Sequence, residues 1–531
     1  MARAQKGLLE LADLVGRAVG DGAAMGDFRA LGELVARNGG GAELVALLIT
    51  EARKPSQSQA RMVGFCVILT VVLDELRLSA NGGSISAAED LRLLRIMTSE
   101  RMGAEEIGEG SRLMVARAYS DAGLDPPRAL QEAISRDLDA ASGLSATDPG
   151  DSLGERFFSG MAREMRHDPY RVHKEMAVQL ASLPAEKRPP VVAAMFSSME
   201  ACIREAGAGF LLDPDEGVAE AVGRFLSDLA PSRPVDSATV ARLGRMRPWL
   251  SASRQVRLDQ VLLACRRHSG PPGALPSAVC DRFAATPIDG AGAQSLFVVT
   301  RSSKKWALGS VLAKARSGVS DAWLGSGLMR VEVDDMLAEV RAEADGNKVS
   351  RAYFERRISH ALRVNQASVP PPFALIQVLE EMGAGVIGPQ TIDPAEMCED
   401  LLAGLPPGQA DEEALRRADT ASPDWERRLS TISTWFEAGA DIEAELRPLK
   451  SEAKRRAVLL ESVLPTRRDR WIEILVWTAA ALKEADPRTV LWRELALVAR
   501  ALARGDKMAT LTTMQEVARR TLSARASRRS A

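Results

Sequence analysis

Apolar residues recur at helical spacing along most of the chain. Leu8 and Leu11 begin one such stripe near the start of the sequence. A helix with an apolar stripe becomes stable when it buries that stripe against a neighbouring element. Similar stripes predict helices over residues 331–344, 471–482 and 490–502. The pattern therefore predicts a protein that is mainly α-helical.

One stretch, near residues 295–330, departs from this pattern. Leu296–Val299 is a short apolar run, Arg301–Lys304 is polar and suits a turn, and Trp306–Leu312 partly alternates between apolar and polar residues. Such a pattern is typical of a β-hairpin. Loop-rich sequence follows, marked by Gly318, Gly325 and Gly327. The alternative is that Trp306–Ala315 forms another helix, because short apolar runs do not distinguish strand from helix.

Breaks in the pattern divide the chain into four regions. Gly143–Ser152, which contains Asp148-Pro149-Gly150, and His268–Gly273, which contains two prolines, are rich in turn-forming residues and suit boundaries. The predicted regions are an N-terminal helical region (1–150), a helical repeat region (151–270), a linker with the small β element and a helix (271–345), and a C-terminal helical region with a basic tail (346–531).

The stretch from about 180 to 268 resembles the HEAT-like helical repeats of bacterial proteins. The matching residues are Leu211-Leu212, Asp213-Pro214-Asp215, Val218, Ala221-Val222 and Leu226. The chain departs from the repeat at Ala219, where an arginine is usual, and Pro231 and Pro234 interrupt the spacing. The resemblance implies stacked helical hairpins or an α-solenoid, and partner binding on its concave face by analogy.

Composition narrows the possible partners. The net charge is −2, so no strong overall field attracts an anionic partner. The chain has 57 arginines and 12 lysines. This excess can reflect phosphate recognition or the base composition of a GC-rich genome. The balance between acids and bases along most of the chain favours the genome explanation.

Cysteine content and hydropathy predict a soluble cytoplasmic protein. The five cysteines are scattered and odd in number, which suits a reducing compartment better than a disulfide framework. The polar segment Met1–Gly7 does not have the character of a signal peptide. The densest apolar run, Val63–Leu73, is shorter than the roughly 20 residues that cross a bilayer. We expect this run to be a buried helix and the protein to have no membrane association.

Two glycine motifs have the spacing of nucleotide-binding loops but not the required context. Gly383–Gly388 follows a predicted helix instead of a strand, and Pro389 comes next. A glycine-rich helix end explains this motif better. Gly103–Gly108 has the outer spacing of a phosphate-binding loop, but Glu109 stands where a lysine is needed. The sequence therefore predicts no cofactor.

Potential metal ligands and nucleophiles also lack partners in sequence. Cys265 and His268 have the types and spacing of zinc ligands, but no fourth ligand lies nearby. His167 and His173 flank a turn and do not have the spacing of a zinc protease. Ser302–Lys305 has a Ser-x-x-Lys spacing but suits a polar hairpin turn, since the other motifs of that enzyme class are missing. We therefore predict neither a metal site nor a catalytic set.

Helical stacking without a catalytic set predicts a non-catalytic scaffold that binds another protein. Tryptophan and arginine are enriched among residues that dominate binding energy. Trp249 and Trp306 are the first candidate anchors, although each could equally belong to the core.

Two alternatives remain. Arg467, Arg468 and Arg470 next to Trp471, together with the basic C-terminal tail, could contact nucleic acid. Glu461, Asp469 and Glu473 lie among these arginines and weaken that hypothesis. The second alternative is an enzyme whose site lies near residues 290–330.

Overall fold

The structure is a computed structural model. It describes residues 2–21, 23, 28–54, 56–82, 84–102, 107–142, 153–229, 236–268, 278–302, 305–367, 369–406 and 408–530. Helices make up 71% of it, and the strands form a small antiparallel sheet. The prediction of a mainly α-helical protein is therefore confirmed. No helix among the described residues is long and apolar enough to cross a membrane.

The chain divides into two compact units. Unit 1 comprises Met1–Gly207 with Ala438–Glu443, and unit 2 comprises Ala208–Glu437 with Ala444–Ala531. The predicted boundary at 143–152 lies outside the described residues, and so does most of the second predicted boundary, which runs from 268 to 273. The division into four regions stays a prediction.

Unit 1 is built from helices. They are α1 (Ala2–Gly20), α2 (Arg29–Arg37), α3 (Gly41–Ala52), α4 (Gln59–Asn81), α5 (Ile85–Met102), α6 (Glu109–Asp121), α7 (Arg128–Ser142), α8 (Leu153–Glu164), α9 (Pro169–Ala181), α10 (Arg188–Ser197) and α11 (Ala201–Gly209), whose last residues pass into unit 2.

Helix α4 is the centre of unit 1. It contains the apolar run Val63–Leu73, which is mostly buried as expected. Helix α1 crosses it closely, because a Cβ atom at Gly16 would lie 1.7 Å from the carbonyl oxygen of Ala60. A Cβ atom at Gly64 would lie 1.9 Å from the carbonyl oxygen of Ala12. The two glycines therefore permit the backbones to approach at a distance that no other residue allows.

Unit 2 contains a five-stranded antiparallel sheet. Its strands are β1 (Val279–Ala285), β2 (Ala293–Ser302), β3 (Lys305–Lys314), β4 (Gly318–Leu328) and β5 (Asn347–Val349), in the order β4-β3-β2-β1-β5. Strands β1 to β4 follow one another as a meander, and β5 pairs with β1 at the other edge.

The predicted hairpin is confirmed, but the sheet extends further than the sequence indicated. Leu296 pairs with Val311, and Ser302 pairs with Lys305. The alternative of a helix over Trp306–Ala315 is wrong, because β3 occupies those residues up to Lys314. The expectation of loop-rich sequence around Gly318, Gly325 and Gly327 is also wrong, since these glycines lie in β4.

The other elements of unit 2 are helices. They are α12 (Glu216–Leu229), α13 (Ser237–Met246), α14 (Ala252–His268), α15 (Arg330–Ala344), α16 (Arg351–Ala367), α17 (Ala374–Glu381), α18 (Pro394–Leu402), α19 (Glu412–Ala421), α20 (Ala440–Leu446, which begins in unit 1), α21 (Glu452–Val458), α22 (Arg468–Ala485), α23 (Leu491–Ala503) and α24 (Thr512–Ser530).

The core of unit 2 lies where helices cover the sheet and pack on one another. Helices α16 and α17 pack against β3 and β4, and α22 packs against α23. Trp471 and Trp477 of α22 and Trp492 of α23 are buried, with 2% or less of each side chain exposed. A few large aromatic side chains thus fill a core that is otherwise built from small aliphatic residues.

Candidate functional site

The first candidate anchor, Trp249, is a core residue of unit 2. It follows α13 in a short 3₁₀ turn, and only 2% of its side chain is exposed. Its indole Nε1 donates a hydrogen bond of 2.7 Å to the carbonyl oxygen of Ile387. Both the ring and its polar atom are therefore used inside the unit, and a partner could not reach them without unfolding this region.

The second candidate anchor, Trp306, lies at the surface of the sheet. It is half-buried on β3 and packs against a small apolar cluster that includes Phe297 and Val333. The guanidinium groups of Arg301 and Arg330 lie 5.9 Å and 5.8 Å from the centre of its ring. Such distances suit cation–π contacts. A role for Trp306 in partner binding stays a prediction.

Two of the three candidate arginines converge on one buried carboxylate. Glu437 is only 4% exposed. Its Oε1 accepts hydrogen bonds from Arg470 Nη1 at 2.7 Å and from Trp471 Nε1 at 2.9 Å. Arg467 Nε lies 3.7 Å from Glu437 Oε2. Arg467 and Arg470 therefore share one carboxylate within unit 2.

The third arginine, Arg468, has a different partner. It is the first residue of α22, and its Nη1 donates to the carbonyl oxygens of Leu502 at 2.7 Å and Asp506 at 2.9 Å. These carbonyls lie at and beyond the end of α23, where helix carbonyl groups lack partners within the helix. Arg468 therefore acts as a cap for α23.

The basic tail is also partly committed to the fold. Arg520 is 9% exposed, bonds to the carbonyl oxygen of Ile432 and lies 2.9 Å from a carboxylate oxygen of Glu426. Arg519 lies 2.8 Å from Glu516. The side chains of residues 527–530, which include two further arginines, lie outside the described residues.

An open cleft of ≈ 750 Å³ lies within unit 2, beside strand β5. Its cationic lining residues are Arg341 of α15, Lys348 of β5 and Arg428. Its apolar lining includes Leu482 of α22 and Val490 at the start of α23. This volume falls within the range of small-molecule binding sites.

A left-handed residue fixes the shape of the cleft. Asp345, with φ 51°, ends α15 and lets the chain turn back into β5. Its Oδ2 accepts hydrogen bonds from Ser430 Oγ at 2.9 Å and from both the backbone nitrogen and the Oγ1 of Thr431, each at 2.7 Å. These three bonds hold an unusual backbone conformation in place. Beyond this turn, Lys348 lies on the short edge strand β5, opposite Ala284 of β1.

The electrostatics of the cleft favour a negatively charged group. Arg341 and Lys348 are exposed and form no ion pair with any residue that the structure describes, whereas Arg428 pairs with Glu494. Asp345 is the sole carboxylate among the described lining residues, and its Oδ2 is already engaged. The described lining contains no cysteine, histidine or serine. The cleft can therefore bind a carboxylate beside an apolar group.

A buried polar cluster joins the sheet to α16 and α22. Arg357, 1% exposed, donates through Nε to Gln294 Oε1 at 2.9 Å, and its Nη1 lies 3.4 Å from Glu473 Oε1. His360 Nε2 lies 3.4 Å from the same oxygen. Burial acts to raise the pKa of Glu473, but the nearby imidazole of His360 and the charge of Arg357 outweigh it and lower that pKa.

Three nitrogen atoms of this cluster are buried without a hydrogen-bond partner among the described residues. They are Arg357 Nη2, His360 Nδ1 and Trp477 Nε1. The guanidinium of Arg357 lies 5.0 Å from the centre of the Trp477 ring. A cluster of this kind could hold small polar molecules such as water. Its side chains are too deeply buried to receive a large substrate.

The structure describes parts of the two glycine motifs and of the Cys265–His268 pair that the sequence analysis rejected as binding sites. Gly383, with φ 61°, ends α17, so Gly383–Gly388 follows a helix as the sequence indicated. Residues 103–106 of the other glycine motif lie outside the described residues. Cys265 is buried with its Sγ 4.0 Å from the carbonyl oxygen of Leu226, and the side chain of His268 is not described.

His167 and His173 have separate environments. His173 Nδ1 lies 3.0 Å from the carbonyl oxygen of Ala206. His167 instead lies close to Glu200 and Cys202. Sequence reasoning missed these two neighbours because more than thirty residues separate them from His167, and no local spacing connects them.

Comparisons with known proteins give relatives without an assigned activity. The chain matches family models described as the Uncharacterised protein y4lR N-terminal domain over residues 21–127, the Y4lR second domain over 184–269, and the Y4lR C-terminal helical domain over 395–526. It is 23% identical over 472 residues to the Uncharacterized protein y4lR of Sinorhizobium fredii (strain NBRC 101917 / NGR234), covering 86% of this chain and 87% of the relative. No solved structure matches it significantly. None of these descriptions names a HEAT-like repeat, so that resemblance stays a prediction.

Proposed function

We propose that this protein is a non-catalytic scaffold that binds another protein through the cleft beside strand β5. The observation that carries the proposal is the pairing of two unneutralised cations, Arg341 and Lys348, with an apolar wall that includes Leu482 and Val490. A partner segment that places an aspartate or glutamate next to a branched apolar side chain would match both features. Charge complementarity would set its orientation, and the apolar contact would supply much of its affinity.

The proposal also includes the predicted architecture and location. Within unit 2, α12 and α13 each pack against α14, which is compatible with stacked helical hairpins at the end of the HEAT-like stretch. The five cysteines are free. Free thiols suit a reducing compartment, and we therefore propose a cytoplasmic protein.

The test is affinity capture of the tagged full-length protein from its native cells, with and without nuclease, followed by quantitative mass spectrometry. The key variant is Arg341→Glu/Lys348→Glu, which reverses both cleft charges. Its matched control is Arg447→Glu/Lys450→Glu, which makes the same change of charge at two exposed positions of unit 2 away from the cleft lining. We expect a stoichiometric partner that resists nuclease, is retained by the control and is lost from the cleft variant.

Other outcomes reject parts of this proposal. A partner retained by both variants would place binding elsewhere and reject the cleft as the site. A partner lost equally from both variants would indicate a response to overall charge. Lysine cross-linking adds a direct check, because a partner in the cleft should cross-link to Lys348 of the wild-type chain.

Nucleic-acid binding is a weaker candidate because Arg467, Arg468, Arg470 and Arg520 have partners inside unit 2. Removing the tail would not test it cleanly, since buried residues of α24 would be lost as well. The sharper variant reverses charge only at residues 528 and 529. Nucleic-acid binding that falls steeply with salt in the wild type and weakens in this variant would support the alternative.

The enzyme alternative near residues 290–330 has one supporting observation. Gln294 belongs to the buried polar cluster around Arg357, which contains a carboxylate and an imidazole. Arg357 and Trp477 are almost fully buried, so a substrate would need an opening between β2 and the helices. We therefore prefer a structural role for this cluster.

A further inference from the structure

Three side chains of unit 1 bring potential metal ligands together. They are His167, in the turn between α8 and α9, and Glu200 and Cys202, at the start of α11. One ligand atom from each residue lies within 4.8 Å of the other two. His167 Nδ1 lies 3.5 Å from Glu200 Oε2 and 3.9 Å from Cys202 Sγ.

The two separations from His167 Nδ1 are close to those of a tetrahedral zinc site. Zinc bonds of about 2.05 Å to nitrogen, 2.3 Å to sulfur and 2.1 Å to oxygen give nitrogen–sulfur and nitrogen–oxygen separations of about 3.6 Å and 3.4 Å at the tetrahedral angle. The observed separations of 3.9 Å and 3.5 Å exceed these values by about 0.3 Å and 0.1 Å. Small side-chain rotations can close that difference.

The backbone holds His167 in an uncommon conformation. Arg166 and His167 are both left-handed, with φ 55° and 54°. The nitrogen of His167 donates to the carbonyl oxygen of Ala162 at 2.7 Å, and the next residue, Asp168, caps α9 through bonds from Tyr170 and Arg171. Residues with side chains rarely adopt this conformation, and two in succession are fixed here between two helix ends.

The start of α11 favours negatively charged ligands. Glu200 immediately precedes this nine-residue helix, and Cys202 lies in its first turn. Backbone N–H groups and the helix dipole at an N-terminus stabilise a carboxylate or a thiolate. Without a metal, burial and the charge of Glu200 outweigh this and raise the pKa of the Cys202 thiol, so a zinc ion must displace its proton on binding. Cys202 is buried, whereas the side chains of Glu200 and His167 are 29% and 58% exposed. The cluster is therefore enclosed on the thiol side and accessible to solvent on the imidazole side.

We propose that His167, Glu200 and Cys202 bind one zinc ion, with water as the fourth ligand on the exposed side. A thiolate together with an imidazole selects zinc over magnesium and calcium, which prefer oxygen ligands. Three protein ligands and a water give an open site with an exchangeable position. The inference is independent of the proposed partner-binding cleft, because all three ligands belong to unit 1.

The test is a cobalt titration of the full-length protein after removal of metals with a chelator. Cobalt replaces zinc in tetrahedral sites and reports a thiolate ligand through a charge-transfer absorption band. We expect one equivalent of cobalt to bind with this band and with the strong visible bands of tetrahedral geometry, and zinc to displace it. Saturation without a thiolate band in the wild type, or no binding, would overturn the proposal.

Variants assign the ligands. Cys202→Ser should abolish the charge-transfer band, and Glu200→Gln should weaken cobalt binding at least tenfold. His167→Gly should weaken binding to the same extent, and it offers a control for folding because glycine readily adopts a positive φ. The metal-free His167→Gly protein should therefore keep the helical circular dichroism of the wild type.

Matched controls use residues of the same types outside the cluster. Cys265→Ser removes a buried thiol of unit 2, and His173→Gln removes the other histidine of the α8–α9 region. Both should retain the stoichiometry and the charge-transfer band. A band that persists in Cys202→Ser and disappears in Cys265→Ser would assign the metal to unit 2 and overturn the proposal.

Discussion

His173 makes unit 1 sensitive to acid. Its ring is half-buried and lies 3.0 Å from the carbonyl oxygen of Ala206. Burial lowers the pKa of His173 from 6.5 to about 4, although the bond to Ala206 acts in the opposite direction. The folded protein therefore loses this proton more readily than the unfolded chain does. The folded state with a neutral His173 therefore has its full stability above pH 6.5. This stability is lost as the pH falls from 6.5 toward 4, because protonation then favours the unfolded chain.

The size of this effect follows from the lowered pKa. A change from 6.5 to about 4 corresponds to about 3 kcal/mol of difference between the neutral and protonated forms. Because the ring keeps some contact with water, we expect about 2 kcal/mol of it to appear in the free energy of unfolding. His173→Gln has no charge at any pH and should therefore lose less stability than the wild type between pH 7 and pH 4.

The assay is urea unfolding followed by far-ultraviolet circular dichroism and by tryptophan fluorescence. All eight tryptophans lie in unit 2, so a transition seen by circular dichroism but not by fluorescence reports on unit 1. The quantity to compare is the difference in unfolding free energy between wild type and His173→Gln at each pH. Other titrating groups cancel in this difference. A difference that does not change with pH would refute the reasoning.

Three further substitutions test the packing of unit 2. Glu437→Gln leaves Arg470 without its countercharge, so it should lower the free energy of unfolding by about 3 kcal/mol. Urea unfolding followed by tryptophan fluorescence measures this loss, and a value under about 1 kcal/mol would contradict the prediction. Gly318→Ala should lower the free energy of unfolding more than Gly327→Ala in the same assay. Both glycines have a positive φ, but of the two only Gly318 has a neighbour that a Cβ atom would meet, the amide oxygen of Asn365 at 2.3 Å. Trp249→Phe removes a buried hydrogen bond, so it should lower the free energy of unfolding by about 1–3 kcal/mol and leave partner capture unchanged. A folded variant that no longer captures the partner would instead support Trp249 as a binding residue.

Long helices could be predicted from the sequence because their signal is local. The helix expected over 331–344 is α15 (Arg330–Ala344), and that expected over 490–502 is α23 (Leu491–Ala503). Each has apolar residues that repeat within a few turns. Those of α23 are mostly buried, whereas in α15 Val333 is buried and Leu337 and Val340 are partly buried. Periodicity and burial agree in such helices, so the sequence alone locates them to within one or two residues.

The sheet was predicted only in part because its pairing is less local. Strands β2 and β3 each contain an apolar run, and the two runs lie within about twenty residues of each other, so their signal is local. Strand β4 has three glycines, which indicate a loop when the partner strand is unknown. Strand β5 is three residues long and pairs with β1, more than sixty residues earlier. Composition and periodicity cannot identify such a strand.

The candidate sites depend on contacts that are distant in sequence. Glu437 and Arg470 lie 33 residues apart, and His167 and Cys202 lie 35 residues apart. Sequence analysis treated Arg467, Arg468 and Arg470 as possible contacts for a partner or nucleic acid, because the carboxylate that Arg467 and Arg470 share lies about thirty residues away. It assigned His167 to a turn, which is correct for the backbone but says nothing of what the imidazole contacts.

The role of the arginines follows from the fold more than from any ligand. Arg468 binds two carbonyl oxygens at the end of α23, Arg357 joins the sheet to α22, and Arg520 binds the carbonyl oxygen of Ile432. A guanidinium has five donors in a planar group, so one arginine can satisfy several acceptors that a helix end or buried carboxylate leaves open. A core with few aromatic residues contains many such ends between short helices. Internal acceptors therefore account for these three arginines, and phosphate binding requires cations that the fold leaves unpaired.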